Sequence, residues 1–128
     1  MRLQRIYLFL AFFMVAGIAL LYGLCPEYFA GHFLGVDPLD VSFKHILRAM
    51  MGLYLAFGFY WLWSAFDASR AMTGLVTILI FDGGLLAGRL LSLAVDGMPA
   101  PLLQFYTALE VGIFVVTFGV WRMGKRGV

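Results

Sequence analysis

Four long, nearly uninterrupted apolar runs limit what this chain can fold into. An α-helix rises about 1.5 Å per residue, so about 20 apolar residues are needed to cross a hydrocarbon core about 30 Å thick. Inside a bilayer each segment must satisfy its own backbone polar groups, which favours helices. We therefore predict four transmembrane helices. The predicted spans are residues 6–24, 46–66, 72–95 and 101–121.

The composition excludes most other classes of protein. Of the 128 residues, 63% are hydrophobic and 12% charged, against roughly 45–50% and about 25% in soluble domains. A soluble domain of this size has too little interior to bury that much apolar surface. A soluble enzyme, a disordered regulator and a disulfide-rich secreted domain are excluded, and Cys25 is the single cysteine. We predict one all-α membrane domain, an up-down-up-down four-helix bundle.

The basic residues predict the orientation of the bundle. Outside the spans they collect on one side, whereas the other side holds Lys44 alone. Because Lys and Arg are enriched on the cytoplasmic side of membrane proteins, we expect both termini to be cytoplasmic. Tryptophans favour the interface, and all three fall at the same side. These residues are Arg2, Arg5, Arg70, Arg122, Lys125 and Arg126, with Trp61, Trp63 and Trp121. A net charge of +2 is too small and dispersed for nucleic-acid binding.

The longest connection is the predicted outer loop, residues 25–44. Its apolar side chains, including Tyr28, Phe29 and Phe33, suit a short helix or cap lying in the interface. An ordered loop that covers the outer mouth of the bundle is the alternative.

Small residues spaced four apart predict where the helices pack. Association of helices in lipid depends on close backbone contact, which small residues allow. Gly84 and Gly88 form a GxxxG stripe in span three. Gly52, Gly112 and Gly23 belong to similar stripes in the other spans. We predict that these glycines form contacts between helices of the bundle, with a dimer face at Gly84 and Gly88 as the alternative.

Four ionisable residues lie within the spans: Arg48, Asp82, Arg89 and Glu110. Each costs about 2.5–3.5 kcal/mol at a helix centre, so each must face inward and find a partner. Arg89 and Glu110 differ in depth by only about 5 Å, which predicts an ion pair between spans three and four, with Arg48 nearby. Asp82 lies deepest without an obvious partner, and we expect it to be protonated because burial disfavours its charged form.

His45 and Tyr106 extend this group into a predicted polar cluster. Together the residues describe a net-basic funnel, open to the outer surface, that suits an anionic headgroup or a small acid. A purely structural role, in which the charges only fix helix register, is one alternative. A proton path through Asp82 and Glu110 is another, disfavoured because no chain of polar residues continues from Asp82 to the cytoplasmic side. We predict no catalytic residues, metal or cofactor.

Several stretches together resemble a known family. The chain resembles a bacterial family of small four-span inner-membrane proteins described as a domain of unknown function, and it is more distantly similar to DoxX-like membrane proteins. The resemblance implies a bacterial inner-membrane location and maps the family's arginines and glutamate onto Arg48, Arg89 and Glu110. Asp82 departs from the pattern, which has an apolar or small residue there. The stretches are Leu21-Tyr22-Gly23 with Pro26, residues 48–55, Gly83-Gly84 through residues 88–92 to residues 96–99, and Glu110 with Gly112.

Three hypotheses about function follow. The first is a non-catalytic accessory subunit or a binder of a lipid-like ligand. The second is a membrane enzyme or redox-associated subunit acting on a quinone-like hydrophobic substrate, and the third is a small proton-coupled transporter. The expected partners are membrane lipid and either a second copy of the chain or another membrane protein.

Overall fold

The computed structural model describes residues 1–127, and all regular structure within them is helical. The four helices α1, α3, α4 and α5 are long and apolar enough to cross a membrane. They alternate in direction, which places residue 1, residue 127 and the α3–α4 turn at one end of the bundle, here called the terminal end. The connections 25–40 and 96–100 lie at the opposite loop end. The elements are α1 (Arg2–Leu24), α2 (Pro26–Phe29) with a following π-helical turn (Ala30–Leu34), α3 (Val41–Ala65), α4 (Ala68–Val95) and α5 (Pro101–Arg126).

Side-chain caps and a proline define where three of the long helices, α3, α4 and α5, begin. Asp40 accepts a hydrogen bond from the backbone N–H of Phe43 at 2.7 Å, and Asp67 accepts one from Ser69 at 2.8 Å. The bond from the Ser69 backbone also lowers the pKa of Asp67 below its usual value, because it favours the charged carboxylate. α5 begins at Pro101, which needs no hydrogen-bonded N–H there.

The predicted spans lie within the observed helices, apart from Phe66, which directly follows the last residue of α3. The predicted outer loop is partly helical. It contains α2 and the π-helical turn, and α3 already begins at Val41. Phe29 is 2% exposed, with its ring centroid 4.7 Å from that of Tyr22, so this short helix covers the loop end of the bundle. Glu27 forms an ion pair with Lys44.

α1 packs against α3 along most of its length. A Cβ atom built on Gly58 would lie 2.8 Å from Val15 Cγ1, and one on Gly23 would overlap Met51, so both positions require glycine. Near the terminal end, Arg5 Nε donates to the carbonyl of Ala65 at 2.7 Å. The backbones of α1 and α3 therefore approach closely at these glycines, and a hydrogen bond joins the two helices near the terminal end.

The glycines at helix contacts differ from most of those predicted. Gly23 lies at a contact between helices, as predicted. Gly58, Gly74 and Gly124, which were not predicted, also lie at such contacts. The other four predicted packing glycines are exposed, and a Cβ on any of them would meet nothing within 4 Å in residues 1–127. Their predicted contacts within the bundle are wrong, because spacing defines a stripe but not the side of the helix that faces a neighbour. They are Gly52, Gly84, Gly88 and Gly112. The dimer face at Gly84 and Gly88 stays a prediction.

Trp61 is also placed differently from its prediction. It is 3% exposed, and its Nε1 donates to Thr77 Oγ1 at 3.0 Å. Trp61 therefore packs inside the bundle and does not contact its surroundings, because its helix face points toward the other helices. Trp63 is exposed, with the guanidinium of Arg70 3.8 Å from its ring centroid.

Candidate functional site

A cavity of about 540 Å³ lies among α1, α3, α4 and α5. Apolar side chains such as Ile78, Leu85 and Ile113 form much of its wall. On the terminal side of the cavity, polar side chains join α1 to α5. Gln4 Nε2 donates to the carbonyl of Val120 at 3.1 Å. The α1–α5 gap is therefore held closed there.

The mouth of the cavity lies between α1 and α5. Leu10 and Met14 of α1, and Gly112 and Val116 of α5, line the cavity and are also exposed on the outside of the bundle. Leu10 is 60% exposed and Val116 is 53% exposed. These residues lie in the middle of helices long enough to span a membrane. The opening therefore faces sideways, where lipid surrounds a membrane-spanning bundle.

The predicted ion pair between Arg89 and Glu110 is present. Arg89 Nε donates to Glu110 Oε2 at 2.7 Å and joins α4 to α5 at the cavity wall. The guanidinium carbon of Arg89 also lies 5.8 Å from the ring centroid of Tyr106, which lines the same cavity. Three members of the predicted polar cluster thus meet at one part of the wall.

Asp82 lines the same cavity and is 4% exposed. It precedes Arg89 by seven residues, about 10 Å along α4 toward the terminal end. Its Oδ2 is buried and has no hydrogen-bond partner in residues 1–127, in agreement with the prediction that Asp82 lacks an obvious partner. The hydroxyl of Tyr54, also on the wall, is likewise buried without a partner in the described chain. Such groups cost about 1–3 kcal/mol each, and a molecule in the cavity would satisfy them.

Aromatic rings form a continuous strip along the cavity wall. The centroid of Tyr22 lies 6.5 Å from that of Tyr106 and 5.7 Å from that of Tyr54. Phe81 continues the strip, 4.9 Å from Tyr54 and 5.4 Å from Trp61. All five rings line the cavity. Of these five rings, Tyr106 alone belongs to the cluster predicted from the sequence, although the spacing of seven residues between Tyr54 and Trp61 places both on one helix face.

Arg48 and His45 do not join this group. Both are exposed and line a separate groove beside Lys44, formed by residues of α3. Arg48 Nη1 donates to the carbonyl of Gly23 at 2.8 Å, which caps the last turn of α1. The predicted single cluster is therefore wrong for these two residues. Sequence depth gives a position along a helix axis but not the rotation around it.

Because Arg48 and His45 lie outside the cavity, the charge of the site differs from the predicted one. Among the residues described at the cavity wall, Arg89 is the one basic side chain, and it lies with two carboxyls, Asp82 and Glu110. The predicted net-basic funnel is wrong.

Polar side chains lie between Asp82 and the terminal end, but in residues 1–127 no hydrogen bond joins Asp82 to them. Tyr7, on the cavity wall, has its hydroxyl 2.5 Å from Thr117 Oγ1. Gln4, Ser64 and Thr117 are all buried further along the bundle. These residues do not stand out in the sequence, because single Gln, Ser, Thr and Tyr residues barely interrupt an apolar run.

Comparison with protein families identifies the chain. The family described as Domain of unknown function (DUF4345) matches residues 3–121, a range that includes every residue lining the cavity. The chain belongs to this family. No curated protein and no solved structure matches this DUF4345 chain. The more distant similarity to DoxX-like proteins stays a prediction. Since the DUF4345 match indicates no biochemical activity, a function must be argued from the cavity.

Proposed function

We propose that this DUF4345 protein is a non-catalytic binder of an amphipathic, lipid-like molecule in the bacterial inner membrane, with both termini in the cytoplasm. The observation that carries the proposal is the cavity of about 540 Å³ with a sideways mouth. Ligand sites typically measure about 300–1,000 Å³ and combine apolar walls with a few polar groups. This cavity has both features.

The route of entry follows from how α1 and α5 are joined. Gln4 and Tyr7 connect α1 to α5 on the terminal side, whereas Leu10 and Met14 face an open gap. A ligand with an apolar tail would enter from the bilayer through this gap. Its polar end would reach Asp82 and Tyr54, and its tail would remain among apolar side chains.

A role restricted to helix register explains less of the structure. The Arg89–Glu110 pair alone would fix the register of α4 against α5. It would not account for the space beside it, nor for the two polar atoms buried at its wall. Ligand binding accounts for both.

Native mass spectrometry in a mild detergent tests the proposal, with two variants of α5. Gly112→Phe places a ring at the mouth of the cavity. Gly119→Phe is the matched control, because Gly119 lies seven residues further along the same helix face, is exposed and is not part of the cavity wall. A Cβ at either position would meet nothing within 4 Å in residues 1–127, so neither change is expected to disturb the fold.

We expect the wild type and Gly119→Phe to carry a discrete bound mass. Gly112→Phe is expected to weaken binding by at least about ten-fold, or about 1.4 kcal/mol of binding free energy, and so to lower the occupied fraction. A bound mass that Gly112→Phe retains in full, or the absence of any bound mass from the wild type, would contradict the proposal.

A further inference from the structure

We infer that the molecule this cavity takes is a lipophilic cation, an apolar body whose positive charge lies beside Asp82. The inference rests on the proposed function and specifies its class of ligand. It is carried by the charges of the wall, by the buried atom without a partner and by the aromatic strip.

The charges of the wall favour a cation. Arg89 is already paired with Glu110 at 2.7 Å, which leaves the carboxyl of Asp82 without a basic partner in the described part of the wall. An anion in the cavity would find no free basic group in the described part of the wall, because Arg89 is already paired with Glu110. A cation would instead supply the partner that Asp82 requires in order to be charged while buried.

The aromatic strip favours the same class of ligand. The faces of Tyr, Trp and Phe rings carry partial negative charge and attract cations, most strongly when water is excluded. The five rings of the aromatic strip line the same cavity as Asp82. Aromatic faces beside a carboxylate are suited to ammonium-type and related cations. The surrounding apolar wall suits a hydrophobic body.

A neutral or anionic lipid would use this cavity differently. A neutral molecule would fill the apolar space and stack on the rings without requiring a charge at Asp82. An anionic lipid would require a free basic group, and Arg48 and Lys44 lie outside the cavity on α3. Charge selectivity therefore separates the three classes.

Two ions of matched size and opposite charge, tetraphenylphosphonium and tetraphenylborate, provide the test. Binding is measured by equilibrium dialysis on protein in nanodiscs of zwitterionic phosphatidylcholine, with protein-free nanodiscs as the background. We expect the wild type to bind the phosphonium at least about ten-fold more tightly than the borate. Gly112→Phe should abolish this binding and Gly119→Phe should retain it. Asp82→Asn should lower phosphonium affinity by at least about ten-fold without weakening borate binding.

Equal affinity for the two ions, tighter binding of the borate, or phosphonium binding that Asp82→Asn leaves unchanged would overturn the inference. The selectivity of the wild type decides the matter even when Asp82→Asn does not fold. The two proposals also fail separately. A native bound mass that Gly112→Phe removes, together with no binding of the phosphonium, refutes the cation and leaves the proposed function standing.

Discussion

The two sides of α1 differ in how they meet their neighbours. Toward α3, Gly23 and Gly58 bring the helices into close contact, and Arg5 donates to the end of α3. Toward α5, hydrogen bonds from Gln4 and Tyr7 hold the helices together on the terminal side, and a cavity separates them beyond. One side of α1 is closed along its length, and the other is open sideways.

This difference shows what closes a membrane bundle. Lipid tails are as apolar as the side chains they contact, so helices gain little from apolar contact alone and stay together where backbones approach closely or polar groups pair. The α1–α3 side has glycines at the contact. Between α1 and α5, polar groups pair only toward the terminal end. The open side is where a ligand would have to enter.

The largest effect is expected at the wall of the open side. Arg89→Gln and Glu110→Gln should each destabilise the protein by about 3 kcal/mol, because each leaves a mostly buried charge without its partner. The double variant should recover part of that loss. Unfolding in detergent measures all three variants, and strictly additive losses would contradict the pairing.

The closed side should be sensitive to a single added methyl group. Gly23→Ala is expected to destabilise the protein by about 1–3 kcal/mol, because the alanine Cβ would overlap the side chain of Met51, including the Met51 Cβ. Gly84→Ala is the matched control and should stabilise α4 by about 0.5–1 kcal/mol, since alanine favours helix more than glycine does. Equal thermal shifts for the two variants would mean that the α1–α3 contact is not as close as described.

The polar attachment of α5 to α1 should contribute less. Tyr7→Phe removes the hydroxyl that pairs with Thr117, at an expected cost of about 1 kcal/mol. It should also widen the α1–α5 gap. Distances between spin labels on the outer faces of α1 and α5 should lengthen or broaden relative to the wild type, and unchanged distances would show that Gln4 alone holds the gap.

The smallest effect is expected outside the membrane-spanning core. Lys44 hydrogen-bonds to Glu27 and lowers the pKa of this exposed carboxyl below its ordinary value of 4.5. The stability that this ion pair contributes is therefore present at neutral pH. It is lost as the pH falls below about 4.5 and through the lower pKa that Glu27 has in the folded protein. Glu27→Gln should barely change the melting temperature at pH 7 and should match the wild type at pH 3. A difference that grows on acidification would contradict the ion pair.

Much of the fold could be predicted from the sequence, because a bilayer imposes a length on every apolar helix. The Arg89–Glu110 pair could be predicted as well, since both residues lie at similar depth on helices joined by a short connection. Burial cost alone drives such residues to pair.

Rotation about the helix axes could not be predicted in the same way. Arg48 has nearly the right depth for the cluster, but its side chain faces the end of α1. Gly84 and Gly88 have the spacing of a packing motif, but they lie on an exposed face. In a chain this apolar, hydrophobicity does not distinguish the side of a helix that faces lipid from the side that faces protein. The cavity and its aromatic strip depend on that distinction.

The central claim, a laterally open and occupied cavity, is tested most directly by photocrosslinking in native membranes. A photoreactive phenylalanine is placed at Val116, which lines the mouth, or at the adjacent Val115, which is 64% exposed and not part of the cavity wall. The account predicts that position 116 captures one discrete molecule and position 115 captures the bulk phospholipid mixture. The same mixture of lipids captured at both positions would contradict it.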